Sequence, residues 1–263
     1  MFRVVFALSL ISSGSVMAQA PSYTASNVVN ASDYSPGPFA PGSLIAIFGT
    51  NLAFGAAGLN GDNTSGKLPF TLANVTVVID NVAAPLLYVS PTQINAMVPS
   101  NEIAGNISLQ VVRQGLQGPK ITITLATAAP ALFVSSDHYA LAQDANASFA
   151  VATGDAPAQP GDLMVLYATG LGGTQPLPGI GQIPQTAGLI NGFASGAIQL
   201  LLNGVAIDSK TMPYAGLTPG FAGLYQINFF LPGSCGPNPT IRLAMGGLLS
   251  ADNVMLPVAQ QQQ

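Results

Sequence analysis

An internal repeat constrains this chain more than any other feature of its sequence. The run APGSLIAIFGTNL, from Ala40 to Leu52, returns as QPGDLMVLYATGL from Gln159 to Leu171. Three further blocks return in the same order: IDNVA as LNGVA, the tripeptide Gln-Ile-Asn with a proline after it, and VRQGL as AMGGL. One such match can arise by chance, whereas several matches in order favour a duplication. Each unit would contain about 95–100 residues, which is an ordinary domain size.

Short apolar runs bounded by Gly, Pro, Asn and Ser predict strands rather than helices. Ile121–Leu125 alternates between apolar and polar residues, and Leu163–Tyr167 is almost wholly apolar, as in a buried central strand. The pairs Asp80-Asn81 and Asn203-Gly204 lie between two such runs, and residues that tolerate a positive φ at this place are typical of tight hairpins. We therefore predict an all-β chain with two tandem immunoglobulin-like β-sandwich domains.

The first 18 residues have the pattern of a signal peptide. Arg3 supplies a positive charge, Val4–Ile11 is apolar, and small residues precede a cleavage point after Ala18. The alternative is a membrane anchor, but the apolar run is shorter than the span of about 20 residues that a bilayer needs. We expect a signal peptide at 1–18, a lead-in at 19–35 and a first domain at 36–132. A second domain at 133–259, with a hairpin at its N-terminal end, and a disordered tail at 260–263 would follow.

The composition excludes several classes of function. Lys and Arg number 6, Asp and Glu number 10, and charged residues make up 6% of the chain, against about 25% in ordinary soluble proteins. At a net charge of -4 the chain offers no basic surface for a nucleic-acid backbone. One Cys and one His cannot supply the ligands of a structural zinc site. Gly170–Gly173 lacks the remaining parts of a dinucleotide site and indicates a structural turn.

Few residues are available for catalysis. His138 is the single histidine, and Asp137 beside it would face the other way on a strand. Glycosidase chemistry needs two facing carboxylates, whereas the Asp residues mostly stand among turn-forming residues. We predict no catalytic residue, no cofactor and no metal. Calcium bound by Asp62-Asn63, or by Asp137 together with Asp144, stays open as an alternative.

Three features raise the question of a binding surface. The amides of Gln93–Asn95 and Gln226–Asn228 either face a ligand or hold neighbouring loop backbone, and their recurrence favours the structural role. Tyr214 and Phe221 flank a loop and either stack on sugars or close the end of a sandwich. Cys235 is an unpaired cysteine in a chain that we expect to be exported. It is either structurally indifferent or forms an intermolecular disulfide.

Four blocks together resemble a family of uncharacterised secreted proteins of acidobacteria, the Solibacter type. They are APGSLIAIFGTNLA, APLLYVSPTQINAMVP, PGDLMVLYATGLG and YAGLTPGFAGLYQINFFLP, and the resemblance extends over residues 30–258. It implies tandem Ig-like domains and export, and it assigns no reaction. Many members carry large regions before this module, whereas here the signal peptide leads almost directly into it. The opening PGSxxxIxGxNL is also similar to the first strand of IPT/TIG immunoglobulin-like domains.

The sequence therefore predicts an exported, non-catalytic module for adhesion, scaffolding or recognition. It would act at the cell surface or in the extracellular matrix, with the periplasm as an alternative, on an extracellular polymer or a cell-envelope protein. Its oligomeric state stays open, and we expect no nucleic-acid partner and no membrane span. One alternative function is a polymer hydrolase that uses loop Asp residues, which would require two carboxylates about 5–10 Å apart. The other is a self-assembling structural surface protein.

Overall fold

The short apolar runs form β-strands, and the turn residues between them connect these strands into antiparallel sheets. A computed structural model describes residues 19–59 and 66–260. The predicted signal peptide lies outside the described residues, as does most of the tail. The strands of the N-terminal half are β1 Val28–Asn30, β2 Leu44–Phe48, β3 Ala57–Gly58, β4 Val75–Ile79, β5 Val82–Ala83, β6 Leu86–Val89, β7 Gln93–Met97, β8 Gly105–Arg113, β9 Leu116–Gln117 and β10 Ile121–Leu125.

The C-terminal half is built in the same way. Its strands are β11 Ala131–Leu132, β12 Ala142–Asp144, β13 Ala150–Val151, β14 Leu163–Thr169, β15 Thr174–Gln175, β16 Leu189–Ile190, β17 Ile198–Leu202, β18 Val205–Ala206, β19 Tyr214–Leu217, β20 Tyr225–Phe230, β21 Ile241–Met245 and β22 Leu248–Leu249. Three single turns of 3-10 helix are Ala25–Asn27, Phe193–Ser195 and Ser209–Thr211. Among the described residues, no helix is long and apolar enough to cross a bilayer.

The N-terminal strands form a sandwich of two antiparallel sheets. One sheet has the order β1-β2-β7-β6-β3, and the other has the order β10-β8-β4-β5 with β9 beside β8. Alternate residues point inward, so that Ile45 and Ile47 of one sheet and Val77 and Leu109 of the other are fully buried in one core. Residues 19–35 belong to this sandwich rather than preceding it, because β1 pairs with β2 and Tyr23 is buried in the core.

The C-terminal strands form a second sandwich with its own core. The larger sheet has the order β13-β12-β14-β20-β19-β16-β15 with β11 beside β14, and the smaller has the order β18-β17-β21-β22. Leu166 and Phe229 of the larger sheet and Leu243 of the smaller one are fully buried between them. The predicted fold class, an all-β chain with tandem Ig-like sandwiches, is therefore confirmed.

The two hairpins predicted from short turn sequences are also confirmed. Val78 pairs with Ala83 and Ile79 with Val82, which leaves Asp80-Asn81 as a two-residue turn with φ of 42° and 67°. Leu202 pairs with Val205 around Asn203-Gly204, where φ is 50° and 78°. Positive φ at both central residues defines the type I′ turn, whose twist matches that of the strands.

The two sandwiches share a buried junction. Thr169, at the end of β14, accepts a hydrogen bond from the Leu44 amide at the start of β2 (3.0 Å) and donates one to the Gly223 carbonyl (2.9 Å). Loop backbone from the two halves also pairs, since Leu68 donates to Gly181 (2.8 Å) and Ile183 donates to Gly66 (2.9 Å). A small apolar cluster fills the space between the halves. We call it the junction cluster; it comprises Leu44, Leu68, Met97 and Ala222, with Ala31, Leu87, Phe133 and Ile183 packed against them.

Candidate binding faces

The Gln-Ile-Asn tripeptides lie on central strands, with both amides on the outer face of the sheet. In β7 the side chains of Ile94 and Ala96 are buried in the core, so Gln93 and Asn95 point outward. In β20 the buried Ile227 separates Gln226 from Asn228 in the same way. All four amide side chains are half-buried. They therefore lie on a sheet surface and not in either core.

The strand register surrounds both amide pairs with equivalent aromatic residues. Phe48 on β2 is the cross-strand partner of Gln93, and Tyr167 on β14 is the partner of Gln226. On the other side, Tyr88 of β6 pairs with Asn95. Tyr214 of β19 likewise pairs with Asn228. Each sandwich thus places a Gln-x-Asn strand between two aromatic side chains, and directly opposed side chains on one face lie about 5 Å apart.

We name these surfaces by their residues. The N-terminal face consists of Ala46, Phe48, Tyr88, Gln93 and Asn95, and the C-terminal face consists of Val165, Tyr167, Tyr214, Gln226 and Asn228. Ala46 and Val165 are buried beneath these faces, whereas the other eight side chains are half-buried. None of these ten positions carries a charge.

Within each pair, the two amides bind each other. Gln93 Nε2 donates to Asn95 Oδ1 (2.8 Å), and Gln226 Nε2 donates to Asn228 Oδ1 (3.3 Å). Within the described part of the chain, the Gln Oε1 and Asn Nδ2 atoms of both pairs have no other partner. Each face therefore offers an acceptor and a two-proton donor side by side. These contacts differ from the structural role considered above, since neither pair holds loop backbone.

The two tyrosines beside the Asn residues lie against glycines. Tyr214 donates its hydroxyl hydrogen to the Leu217 carbonyl (2.6 Å), and its oxygen lies 2.7 Å from where a Cβ of Gly216 would stand. The ring consequently extends along its own strand over a residue without a side chain. In the other sandwich, the Tyr88 ring lies 3.6 Å from the Cβ position of Gly58, its cross-strand partner. Both tyrosine side chains are half-buried in this position.

Both faces continue into exposed apolar residues. Tyr34 is 60% exposed, and its ring centroid lies 5.9 Å from that of Phe48. At the C-terminal face, Leu163 pairs with Phe230, which is 47% exposed. The Tyr167 hydroxyl also donates to Gln143 Oε1 (2.5 Å), which adds a third amide to this surface. Contiguous exposed apolar area of this kind marks an interaction site more often than scattered single residues do.

Sequence reasoning finds the amides and Tyr214 but misses Phe48, Tyr88 and Tyr167. A signal for two of them is present, because Phe48 and Tyr167 occupy the same place in the first repeated block. Phe221, the other aromatic candidate, and the exposed Phe54 lie elsewhere. Phe221 is 59% exposed in the loop after β19. Phe54 covers the guanidinium of Arg113, whose carbon atom lies 4.0 Å from the ring centroid.

The acidic residues are neighbours in other combinations than the Asp137 and Asp144 pair considered above. Asp144 contacts the Asp162 carboxyl group, whereas Asp137 lines a surface recess that also contains Asp155. The Asp62-Asn63 candidate lies outside the described residues. Among the residues that are described, no three His, Cys, Asp or Glu side chains are close enough to hold a metal ion.

Turn formation accounts for the contact between Asp144 and Asp162. Asp144 Oδ1 accepts from the Asn146 amide (2.8 Å), and Asp162 Oδ2 accepts from the Gln159 amide (2.6 Å). Each carboxylate thus accepts from a turn amide of its own, and the charge of Asp144 acts on the Asp162 carboxyl group.

The Asp162 carboxyl yields a prediction about pH. Burial and the charge of Asp144 raise its pKa, although the Gln159 amide opposes them. A folded-state pKa above the unfolded value means that the ionised form destabilises the fold, so stability increases as pH falls through that pKa. Asp162→Asn removes the charge and keeps an oxygen for Gln159. We expect the variant to unfold at a higher urea concentration than the wild type at pH 7. Its free energy of unfolding should be greater by about 0.5 kcal/mol, because solvent screens the repulsion between these carboxylates.

The control for this prediction is the same pair of proteins at about pH 3, where carboxyl groups are largely protonated. The difference in unfolding free energy should shrink there. A variant that is less stable than the wild type at pH 7 would contradict the assignment of repulsion to this pair.

His138 and the glycine-rich segment both occupy turns. His138 has a φ of 61°, and its backbone amide donates to the Ser135 carbonyl (3.1 Å). Gly170 and Gly172 have φ of 78° and 74° and lie against backbone carbonyls of the segment that connects the two sandwiches. The backbone of Gly170–Gly173 therefore packs closely against the backbone of the segment that connects the two sandwiches.

Cys235 is a free, buried thiol with 9% of its surface exposed. Burial raises its pKa, so the nucleophilic thiolate is scarce at neutral pH. Its carbonyl accepts from Asn203 Nδ2 (3.0 Å), which ties this loop to the Asn203-Gly204 hairpin. A thiol in this position is poorly placed for the intermolecular disulfide considered above.

Residues 30–128 match the model of the IPT/TIG domain. The similarity expected from the PGSxxxIxGxNL opening is therefore confirmed, and the match covers nearly all of the N-terminal sandwich. An Ig-like domain of this class fits a non-catalytic binding or surface module of an exported protein. No curated protein matches the chain.

Several solved structures are similar to the chain, all with TM-scores below 0.5. The full extracellular region of plexin A4 has a TM-score of 0.31 at 10% identity, over 98% of this chain and 20% of plexin. The SGBP-B protein of the Bacteroides ovatus mixed-linkage glucan utilization locus, solved with a mixed-linkage heptasaccharide, has a TM-score of 0.34 at 10% identity, over 92% of this chain and 47% of that protein. Domains 5-6 of the S-layer protein SbsC have a TM-score of 0.27 at 12% identity, over 89% of this chain and 98% of theirs. The chain thus spans less than half the length of the first two.

Proposed function

We propose that this chain is an exported, non-catalytic module that binds an uncharged extracellular polysaccharide through its two outer sheet faces. The observation that supports this is the shared register of the faces: Gln-x-Asn between two aromatic side chains, once in each sandwich. Core packing accounts for the residues that point inward. It does not require amides and aromatics at the same outward positions of both units.

The chemistry of the faces suits sugars. The C–H surface of a pyranose ring packs on an aromatic ring, and each face has two aromatic side chains beside its amides. Neighbouring sugar hydroxyls accept from and donate to amides, and each face has an unpaired Gln Oε1 beside an Asn Nδ2. An anionic polymer would find no cation at the ten face positions, so a neutral polysaccharide is the class that fits.

The finer features of the proposal come from the sequence. They are a signal peptide at 1–18, an origin by duplication, a first domain that ends at residue 132 and includes the lead-in 19–35, a second domain at 133–259, and membership of the Solibacter-type family. We place the mature protein at the cell surface or in the extracellular matrix. Under this proposal, Asp144 and Asp162 form turns and cut no polymer.

Co-sedimentation of the chain 19–263 with insoluble cellulose, chitin and starch tests the proposal. We expect saturable retention on at least one of these polymers, and retention should persist at high salt because the ligand is uncharged. Gln226→Ala should weaken it about threefold to tenfold, the equivalent of one or two net hydrogen bonds. Gln199→Ala is the matched control, because Gln199 is exposed on the smaller sheet of the same sandwich.

A second assay, with envelope fragments of the producing organism before and after protease treatment, tests for a protein partner. If the chain is retained only on these fragments, and protease treatment abolishes that retention, the proposal is overturned in favour of a protein partner. If Gln226→Ala and Gln199→Ala lose retention on the polymer equally, the C-terminal face is not part of the binding site.

A further inference from the structure

Arg113, at the end of β8, is a buried cation that has no acidic partner in the described part of the chain. It is 3% exposed, and its guanidinium lies against the Phe54 ring. Its Nη2 donates to the Gln19 carbonyl oxygen, and its Nε has no partner among the described residues. Because burying a charge is costly unless hydrogen bonds replace the lost water, the Gln19 carbonyl supports the N-terminal sandwich.

Gln19 is docked on the sandwich through its two oxygen atoms. Its carbonyl oxygen binds Arg113, and its Oε1 accepts from Asn51 Nδ2 (3.1 Å). The chain stays on the sandwich beyond this point, because Ser22 and Thr50 exchange two backbone hydrogen bonds of 2.9 Å each. Within the described part of the chain, the two nitrogens of Gln19 bind nothing. They therefore contribute nothing to its attachment.

Gln19 is also the residue that the proposed cleavage after Ala18 would leave at the N-terminus. Cleavage after Ala20 fits the same pattern of small residues. It would remove Gln19, however, and leave the Arg113 guanidinium with no hydrogen-bond acceptor in the described part of the chain. Cleavage after Ala18 keeps the acceptor but creates an α-ammonium group. That nitrogen is three bonds from the carbonyl oxygen, and so lies within about 6 Å of the guanidinium.

We infer that signal peptidase cleaves after Ala18 and that the folded sandwich promotes cyclisation of the new N-terminal Gln19 to pyroglutamate. The α-nitrogen attacks the side-chain Cδ, the bond between them forms, and the bond from Cδ to Nε2 breaks. Nε2 leaves as ammonia with a proton from the α-nitrogen. The lactam keeps both oxygens through which Gln19 is docked, and it carries no charge beside Arg113. This inference rests on the signal peptide of the proposed function and is independent of the sugar-binding faces.

The surroundings of Gln19 favour this reaction in two ways. The positive charge of Arg113 favours the neutral form of the α-amine, which is the nucleophile. Asn51 donates to Oε1, where negative charge develops when the amine attacks Cδ. The fold therefore supplies to its own N-terminus a neutral nucleophile and a polarised amide.

Mass spectrometry of the exported protein tests the site of cleavage and the modification. The full chain is expressed in a bacterium, and the N-terminal peptide of the exported protein is sequenced. We expect it to begin at residue 19 and to be lighter than the unmodified peptide by one ammonia. A peptide that begins at Pro21, or one that begins at an unmodified Gln19, would overturn the inference. A chain that keeps residues 1–18 would overturn the proposed signal peptide as well, whereas the sugar-binding faces are tested by co-sedimentation alone.

A rate measurement tests the part played by the fold. A protease that leaves Gln19 first releases the chain 19–263 from a fusion partner, and the loss of ammonia is followed by intact mass. We expect folded protein to cyclise about tenfold faster than protein unfolded in urea. Asn51→Gly should slow the folded protein about tenfold, because it removes the donor to Oε1 and suits the φ of 57° at this position.

Asn81→Gly is the matched control, because Asn81 is exposed, has a φ of 67° and lies in the β4–β5 hairpin. It should cyclise at the wild-type rate. Equal rates in native buffer and in urea, or equal rates in the Asn51→Gly and Asn81→Gly variants, would overturn the inference that the fold promotes cyclisation.

Discussion

Gly170→Ala is expected to lower the free energy of unfolding by about 3 kcal/mol, the sum of a backbone and a packing cost. Gly170 has a φ of 78°, which costs a residue with a Cβ roughly 1–2 kcal/mol. A Cβ there would also lie 2.1 Å from the Ala129 carbonyl oxygen, so backbone and not a flexible side chain must move. Urea denaturation followed by fluorescence or circular dichroism measures the change.

Gly204→Ala separates the two costs. Gly204 has the same φ of 78°, and a Cβ there would meet nothing within 4 Å. Gly204→Ala should therefore lower the free energy of unfolding by the backbone cost alone, about 1 kcal/mol. Equal losses of unfolding free energy in the two variants would show that the Ala129 backbone can move aside without an energetic cost. The glycine-rich segment would then serve the β14 turn alone and not the contact between the sandwiches.

The fold could be predicted because its signals are local. Asn203-Gly204 forms a tight turn through the conformations its own residues prefer, and Ile121–Leu125 shows its two faces by alternation. The place of residues 19–35 could not be predicted in this way. Val28–Asn30 becomes a strand because it pairs with β2, and the Tyr23 hydroxyl accepts from the Val111 amide (2.7 Å). Both contacts depend on residues far away in sequence.

The candidate faces could likewise be predicted only in part. Period-two alternation places Gln93 and Asn95 on one side of their strand, and this much follows from the sequence. That Phe48 stands beside Gln93 depends on the register between β2 and β7, which is set by packing of the whole sheet. The junction gives no local signal, because its central hydrogen bond joins residues 125 positions apart.

Thr169→Val is expected to cost about 3 kcal/mol although it preserves the shape of the side chain. The Thr169 hydroxyl is fully buried and serves two groups at once, accepting from the Leu44 amide and donating to the Gly223 carbonyl. Valine leaves both backbone groups buried without a partner, and each such group costs about 1–3 kcal/mol. Thr122→Val is the control, because Thr122 is an exposed threonine on edge strand β10 and should change stability by less than about 0.5 kcal/mol.

Calorimetry of Thr169→Val also reports how far the junction couples the two halves. Each sandwich has its own core, so loosening the junction should broaden one unfolding transition or divide it into two. A variant as stable as Thr122→Val would mean that water reaches the Leu44 and Gly223 groups and replaces the hydroxyl.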